Sequence, residues 1–234
     1  MHVVRGALDS AGADRQVVQR LAESVASTGV PALRVWQPPK QVAFGRRDSA
    51  ADGYEHARLA ARERGYEPIQ RRAGGTAVAY ATGTVAFAYA VSTATGRGGI
   101  EDRYRTATER LLAALASVGA AVRRGEPSAT FCPGTHSLRA DGKVAGLAQR
   151  VKEETALVGG YVVGTNRASA AVADVLDPVY RALGTPFDPT TVGSVEAAGG
   201  PASAGQVADA IEASFVDERP TTYLDAETFL DRSP

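Results

Sequence analysis

The chain holds one cysteine in 234 residues, Cys132, within "FCPGTHSLRADGKVAG" from Phe131 to Gly146. Lys143 follows eleven positions later, directly after Asp141-Gly142. A cysteine and a lysine at one site could act together in nucleophilic catalysis, since the thiolate is the nucleophile and nearby positive charge favours it. Two plainer readings compete with this. A free cysteine usually behaves as a small buried hydrophobe, and a lysine beside a turn is usually solvated. His136, four residues after the cysteine, could protonate a departing amine or could be an idle loop residue.

Whether Cys132 and Lys143 meet depends on the chain between them. Pro133-Gly134 suits the centre of a type II turn, which would put Cys132 at the first turn position, on a loop. Asp141-Gly142 is a hairpin signal between the strand "SLRA" and the strand "KVAGLAQRV", which Lys143 begins. A straight hairpin would pair Cys132 near Val151 and hold it about 25 Å from Lys143, at about 3.3 Å per residue. The Pro-Gly turn must therefore redirect the chain if the two are to meet. Gly146 and Ala148, of opposite parity to Lys143, leave a lightly covered strip beside that strand.

A second element, "RRAGGTAV" at residues 71–78, places two arginines before a glycine pair, where backbone could approach a ligand closely. It lacks the Lys-Ser ending of a Walker loop and the third glycine of a dinucleotide fingerprint. An ordinary glycine turn with solvated arginines is the alternative.

These residues need a scaffold, and the periodicities supply one. "DRQVVQRLAESVAST" places Val17, Leu21 and Val25 on one side of a helix, and Gly29 stops it. "PALRVWQ" and "QVAFGRR" read as strands, and "DGYEHARLAARERGYE" as a helix ending at Gly65. Val85, Phe87, Tyr89 and Val91 alternate with Thr84, Ala86, Ala88 and Ala90, the pattern of a half-buried strand whose second face is all small and leaves room beside it for something else. "IEDRYRTATERLLAALASVG" is an amphipathic helix with Tyr104, Ala107, Leu111, Leu115 and Val118 on one stripe. "TALVGGYVVGT" adds a strand, helices are expected at 167–184 and 205–216, and a short one in "DAETFLDR". Strands and helices in runs, without strict alternation, indicate an α+β fold with a mixed sheet.

Composition limits the function classes. Lys plus Arg total 26, as do Asp plus Glu, so no excess charge draws the chain to nucleic acid or an anionic membrane. No apolar run reaches the roughly 20 residues of a membrane span, and the N-terminus lacks a signal-peptide core, so a cytoplasmic protein is expected. One cysteine and three scattered histidines offer neither a disulfide nor a metal cluster.

Taken together, the motifs resemble the lipoate and octanoate ligase and transferase family, whose catalytic domain is shared with biotin protein ligases. The element "RR.GG.AV" is matched by Arg71, Arg72, Gly74, Gly75, Ala77 and Val78. The element "DG.K.AG.AQR" is matched by Asp141, Gly142, Lys143, Ala145, Gly146, Ala148, Gln149 and Arg150, and "FGRRDSAADGY" looks like the family's first glycine-arginine strand end. The resemblance implies a mixed or antiparallel sheet flanked by helices, of the class II aminoacyl-tRNA synthetase and biotin-ligase kind. It also implies that residues 1–234 form one catalytic domain, with the tail from 217 least defined. Lys143 matches the lysine that hydrogen-bonds the lipoyl or octanoyl carbonyl. Many members carry a histidine where this chain has Tyr80, and Cys132-Pro133-Gly134 is similar to the branch that moves octanoyl groups through a cysteine.

That branch implies an acyltransferase with Cys132 as nucleophile, Lys143 beside it, and Arg71, Arg72, Gly74, Gly75, Thr76, Ala77, Gly146 and Ala148 against the substrate. The implied donor is an octanoylated glycine cleavage H protein or acyl carrier protein, and the implied acceptors are lipoyl domains of 2-oxoacid dehydrogenases. Neither a metal nor a cofactor would be required. An ATP-dependent lipoate ligase, using ATP and Mg, and a non-catalytic acyl- or lipoyl-domain-binding homologue are the alternatives.

Overall fold

The computed structural model describes residues 1–71, 75–93, 99–152 and 154–231. Among them the strands are β1 (His2–Arg5), β2 (Ala32–Trp36), β3 (Gln41–Phe44), β4 (Glu67–Gln70), β5 (Val78–Tyr80), β6 (Thr84–Ser92), β7 (Arg123–Arg124), β8 (Ser137–Arg139), β9 (Lys143–Lys152), β10 (Thr155–Val163) and β11 (Thr222–Asp225). The α-helices are α1 (Ala11–Thr28), α2 (Tyr54–Glu63), α3 (Ile100–Ser117), α4 (Asn166–Ala182), α5 (Ala204–Val216) and α6 (Ala226–Asp231).

The architecture is α+β, as the sequence indicates. Eight strands form a mixed sheet in the order β11-β1-β2-β6-β10-β9-β8-β7, parallel only where β1 pairs with β2 and β11. A separate sheet, β4-β3-β5, stands beside it. The expected helix stripes hold: Val17, Leu21 and Val25 of α1 and Leu111 and Leu115 of α3 are fully buried. Ser10 caps α1 by accepting from the Ala13 N–H, and left-handed Gly29 ends it.

The two faces of the large sheet have different cover. Val85 and Phe87 of β6 pack with α3 and α5 around Leu111, Leu115, Ile211 and Phe215. On the opposite face Ala90 lies under Val17, Leu21 and Val25 of α1, while Tyr161 and Val163 join Phe131, α4 and the small sheet. The small-residue face of β6 is thus no open slot. Thr84, Ala86, Ala88 and Ala90 are buried by the protein itself. Part of the room they leave goes to Arg34, whose Cα partner is Ala88. Arg34 is fully buried and paired with Asp14 of α1, an ion pair that nothing in the local pattern announces.

One irregularity in β9 positions the site. Leu138 pairs with Ala145 but Arg139 pairs with Lys143, so Val144 is an extra residue on β9. Such a bulge turns a side chain away from the face that strict alternation would give it. Lys143 thereby reaches the face of Gly146 despite its opposite parity: a Cβ built on Gly146 would stand 3.6 Å from Lys143 Cε.

Candidate active site

The pairing of β8 with β9 ends at Ser137↔Gly146, and the preceding residues leave the sheet. Phe131 anchors their return, fully buried with its ring 5.5 Å from that of Tyr161. The next residue, Cys132, has φ of 40°, a left-handed value that is uncommon and costly for a side chain other than glycine's. Gly134 has no positive φ, so the expected type II Pro-Gly turn does not form; the left-handed residue is the cysteine itself.

Two buried side chains, Tyr180 and Lys143, and the half-buried Arg71 hold Cys132 in that conformation. Its N–H donates to Tyr180 Oη at 2.7 Å, its carbonyl accepts from Lys143 Nζ at 2.6 Å, and its Sγ accepts from Arg71 Nη2 at 3.3 Å. An inert core thiol requires none of this. The guanidinium places a charged donor on the sulfur, the atom of a cysteine that acts as a nucleophile.

Lys143 is 1% exposed, contrary to the solvated turn lysine that its neighbours suggest. Its ammonium donates to the carbonyls of Cys132 and Phe131, at 2.6 and 3.1 Å, and faces Glu126 Oε2 at 3.4 Å. Three protons thus meet three acceptors. Burial pulls Lys143 below the usual lysine range, while the negative charges of Cys132 and Glu126 oppose that shift. The chain folds back as the Cys132–Lys143 pairing requires, and what Lys143 grips is the backbone of the cysteine loop.

Arg71, at the end of β4, donates through the same nitrogen to the Thr76 carbonyl at 2.6 Å, which ties the glycine element to the sulfur. Burial disfavours its charge, but Cys132, Tyr80 and Asp48 together outweigh that effect and raise Arg71 above the usual arginine value. Gly75 (φ 87°) lies over this contact: a Cβ there would stand 3.0 Å from both Arg71 Nη2 and Cys132 Sγ. Only glycine leaves the thiol uncovered and adopts that backbone conformation. Gly45 meets the same loop, since a Cβ on it would lie 1.9 Å from the Gly75 carbonyl oxygen, and Asp48 caps its N–H at 2.6 Å.

Thr76 and Ala77 reach the site through Tyr180. The Tyr180 hydroxyl donates to the Ala77 carbonyl at 2.8 Å and lies 2.8 Å from Thr76 Oγ1. Gly146 adjoins Lys143 and Tyr161, and Ala148, exposed, lies two residues farther along the same face. Gly159 is paired with Ala148 across the sheet and extends the strip. Arg72 and Gly74 lie outside the described residues. His136 stacks on Tyr104 of α3, centroids 3.5 Å apart, instead of turning to the thiol.

Sequence reading missed Glu126, Tyr161 and Tyr180. Tyr180 lies on the buried stripe of α4 with Val172, Leu176 and Val179, so periodicity alone makes it a core residue. The available signal was chemical, because a buried tyrosine hydroxyl needs a partner. Burial raises Tyr80, Tyr161 and Tyr180 above the usual tyrosine value, so all three stay protonated at neutral pH. A surface depression of about 410 Å³ lined by Gln37, Thr82, Thr165, Asn166 and Glu196 contains none of these groups.

The site thus joins a cysteine loop, a glycine element and a buried lysine at one end of this mixed sheet. Residues 13–216 match the model of the lipoyl protein ligase A/B catalytic domain, and the chain belongs to that family. It is 30% identical over 150 residues to an octanoyl-[GcvH]:protein N-octanoyltransferase of Geobacillus kaustophilus, covering 64% of this chain and 53% of that protein. The like-named protein of Kyrpidia tusciae is 32% identical over 151 residues, covering 62% and 52%. The matches therefore span about half the length of these relatives. In fold the chain is similar to a lipoate-protein ligase A bound with ATP (TM-score 0.74, 17% identity, 98% of this chain and 92% of that one). It is also similar to the bipartite lipoate protein ligase of Thermoplasma acidophilum solved with its E2 lipoyl domain (TM-score 0.70, 16% identity, 98% and 89%). No helix among the described residues is long and apolar enough to cross a membrane.

Proposed function

We propose that the chain is an octanoyltransferase of protein lipoylation that works through a thioester on Cys132, residues 1–234 acting as one catalytic domain. The observation that carries this reading is the Arg71 guanidinium on the sulfur of a cysteine whose backbone is clamped on both sides. Cys132 attacks the carbonyl carbon of an octanoyl amide or thioester. A C–S bond forms, the bond to the donor breaks, and the thiol proton ends on the departing amine or thiol. The ε-amine of an acceptor lysine then opens the thioester, and its proton passes to the released sulfur. Two easier exchanges replace one hard one.

In this reading Lys143 holds the cysteine loop over Gly146, and the chain lies along Gly146, Ala148 and Gly159. Each buried methylene would contribute about 0.8 kcal/mol, so the length of the strip favours a medium chain. The donor is an octanoylated H protein, in keeping with the names of the curated relatives, and the acceptor is a lipoyl domain. Neither ATP nor a metal takes part.

The test is transfer without nucleotide. Octanoylated H protein, this chain and a free lipoyl domain, mixed without ATP or Mg, are expected to yield octanoylated lipoyl domain by intact mass. Transfer only with ATP and free lipoate, accompanied by pyrophosphate, would replace this reading with a ligase.

A further inference from the structure

Tyr161 of β10 has a feature that packing alone does not require. It is 5% exposed, and its hydroxyl has no hydrogen-bond partner among the described residues. A buried hydroxyl left unpaired destabilises the fold, because its lost hydration is not repaid. Phenylalanine would fill the same space without that cost. The ring is fixed, edge-on to Tyr80 with centroids 6.3 Å apart and tilted against Phe131 at 5.5 Å, so the hydroxyl is held where it stands.

That position faces the cysteine loop. Tyr161 pairs with Gly146 across the sheet, and a Cβ built on Gly146 would stand 3.6 Å from Tyr161 Oη and 3.6 Å from Lys143 Cε. The missing side chain keeps the space between phenol and lysine stem clear, next to the lysine whose ammonium holds the Cys132 carbonyl. Within this space Lys143 has three acceptors for its three protons. Two buried donors here have unused capacity, Arg71 Nε and the Tyr161 hydroxyl, and the hydroxyl is the one beside Gly146.

We propose that Tyr161 is a further catalytic residue, its hydroxyl donating a hydrogen bond to the acyl carbonyl oxygen while Cys132 attacks. This rests on the thioester reading above. As the C–S bond forms, the carbonyl π pair moves onto oxygen, and the Tyr161 O–H steadies that charge without giving up its proton. When the pair returns, the donor's amine or thiol leaves and the hydrogen bond relaxes. Burial, and then the charge of Cys132, raise Tyr161 far enough to keep the phenol protonated throughout, so it serves as a donor and not as a base.

The test is single-turnover acylation of Cys132 by octanoylated H protein, followed by intact mass, in wild type and Tyr161→Phe. Loss of one oxyanion donor is expected to slow acylation about 100-fold at saturating donor and to leave the half-saturating donor concentration unchanged. Alkylation of Cys132 by iodoacetamide should keep its wild-type rate. The thermal midpoint should hold or rise by about 2–4 °C, because an unpaired hydroxyl has gone. Acylation of Tyr161→Phe at the wild-type rate would overturn this proposal and leave the thioester reading intact. Equal slowing of acylation and alkylation would also overturn it, since Tyr161 would then serve the thiol and not the acyl oxygen. A wild type that never gains an octanoyl group on Cys132 would overturn the thioester reading and this inference with it.

Discussion

Lys143→Ala is expected to lower the thermal midpoint by roughly 6–20 °C and to cut octanoyl transfer more than about 100-fold. The stability loss follows from what the ammonium holds. Without it the carbonyls of Phe131 and Cys132 and the Glu126 carboxylate lose a donor that is 99% shielded from water, being 1% exposed. Breaking such a buried charged contact by removing one partner costs about 3–5 kcal/mol. The activity loss has a separate cause. The left-handed Cys132 backbone is pinned at its N–H by Tyr180 and at its carbonyl by Lys143, and releasing the second pin lets the sulfur leave its contact with Arg71. A displacement of about 1 Å at a reacting atom can cost a hundredfold in rate. Thermal melts and transfer assays on the same preparation check both effects; wild-type values in both would remove Lys143 from the site.

Arg71→Ala is expected to slow iodoacetamide alkylation of Cys132 at pH 7 about tenfold or more and octanoyl transfer at least as much. The guanidinium bonds Sγ and the Thr76 carbonyl at once, so its removal takes a charged donor from the sulfur and loosens Gly75 above it. Arg71→Lys should recover only part of the alkylation rate: a lysine restores the charge but lacks the planar fork that spans two acceptors. Alkylation unchanged in Arg71→Ala would mean that the cysteine owes its reactivity to something else.

The sequence made some of this legible and hid the rest for physical reasons. Periodicity found α1 and α3 because their stripes are set within one element, and the glycine and Asp-Gly-Lys elements marked the right segments. The short strands β1 and β11 escape periodicity; they are four residues each and owe their form to neighbouring backbone, β11 pairing with β1 at the edge and β1 also with β2. The apparent 25 Å gap between Cys132 and Lys143 assumed a straight hairpin. Two departures from regularity close it, the bulge at Val144 and the exit of the chain from the sheet before Ser137, and both depend on tertiary contacts. The small face of β6 was read correctly as small but not as filled, because the occupant, Arg34 with Asp14 and α1, comes from residues far away in the chain. Tyr180 and Tyr161 were hidden by their own regularity, since a tyrosine on a buried stripe looks like core until the partners of its hydroxyl are known.

The central claim is that the octanoyl group rests on the sulfur of Cys132 between donor and acceptor. Its most direct test is to mix wild type with octanoylated H protein, quench in acid and map the peptide from Phe131 onward by mass spectrometry, with and without neutral hydroxylamine. The account predicts one octanoyl group on Cys132, removed by hydroxylamine, missing from Cys132→Ser, and passed to a lipoyl domain when the isolated acyl-protein is mixed with it. Full transfer by Cys132→Ser, or by a wild type that never carries the group, would contradict it.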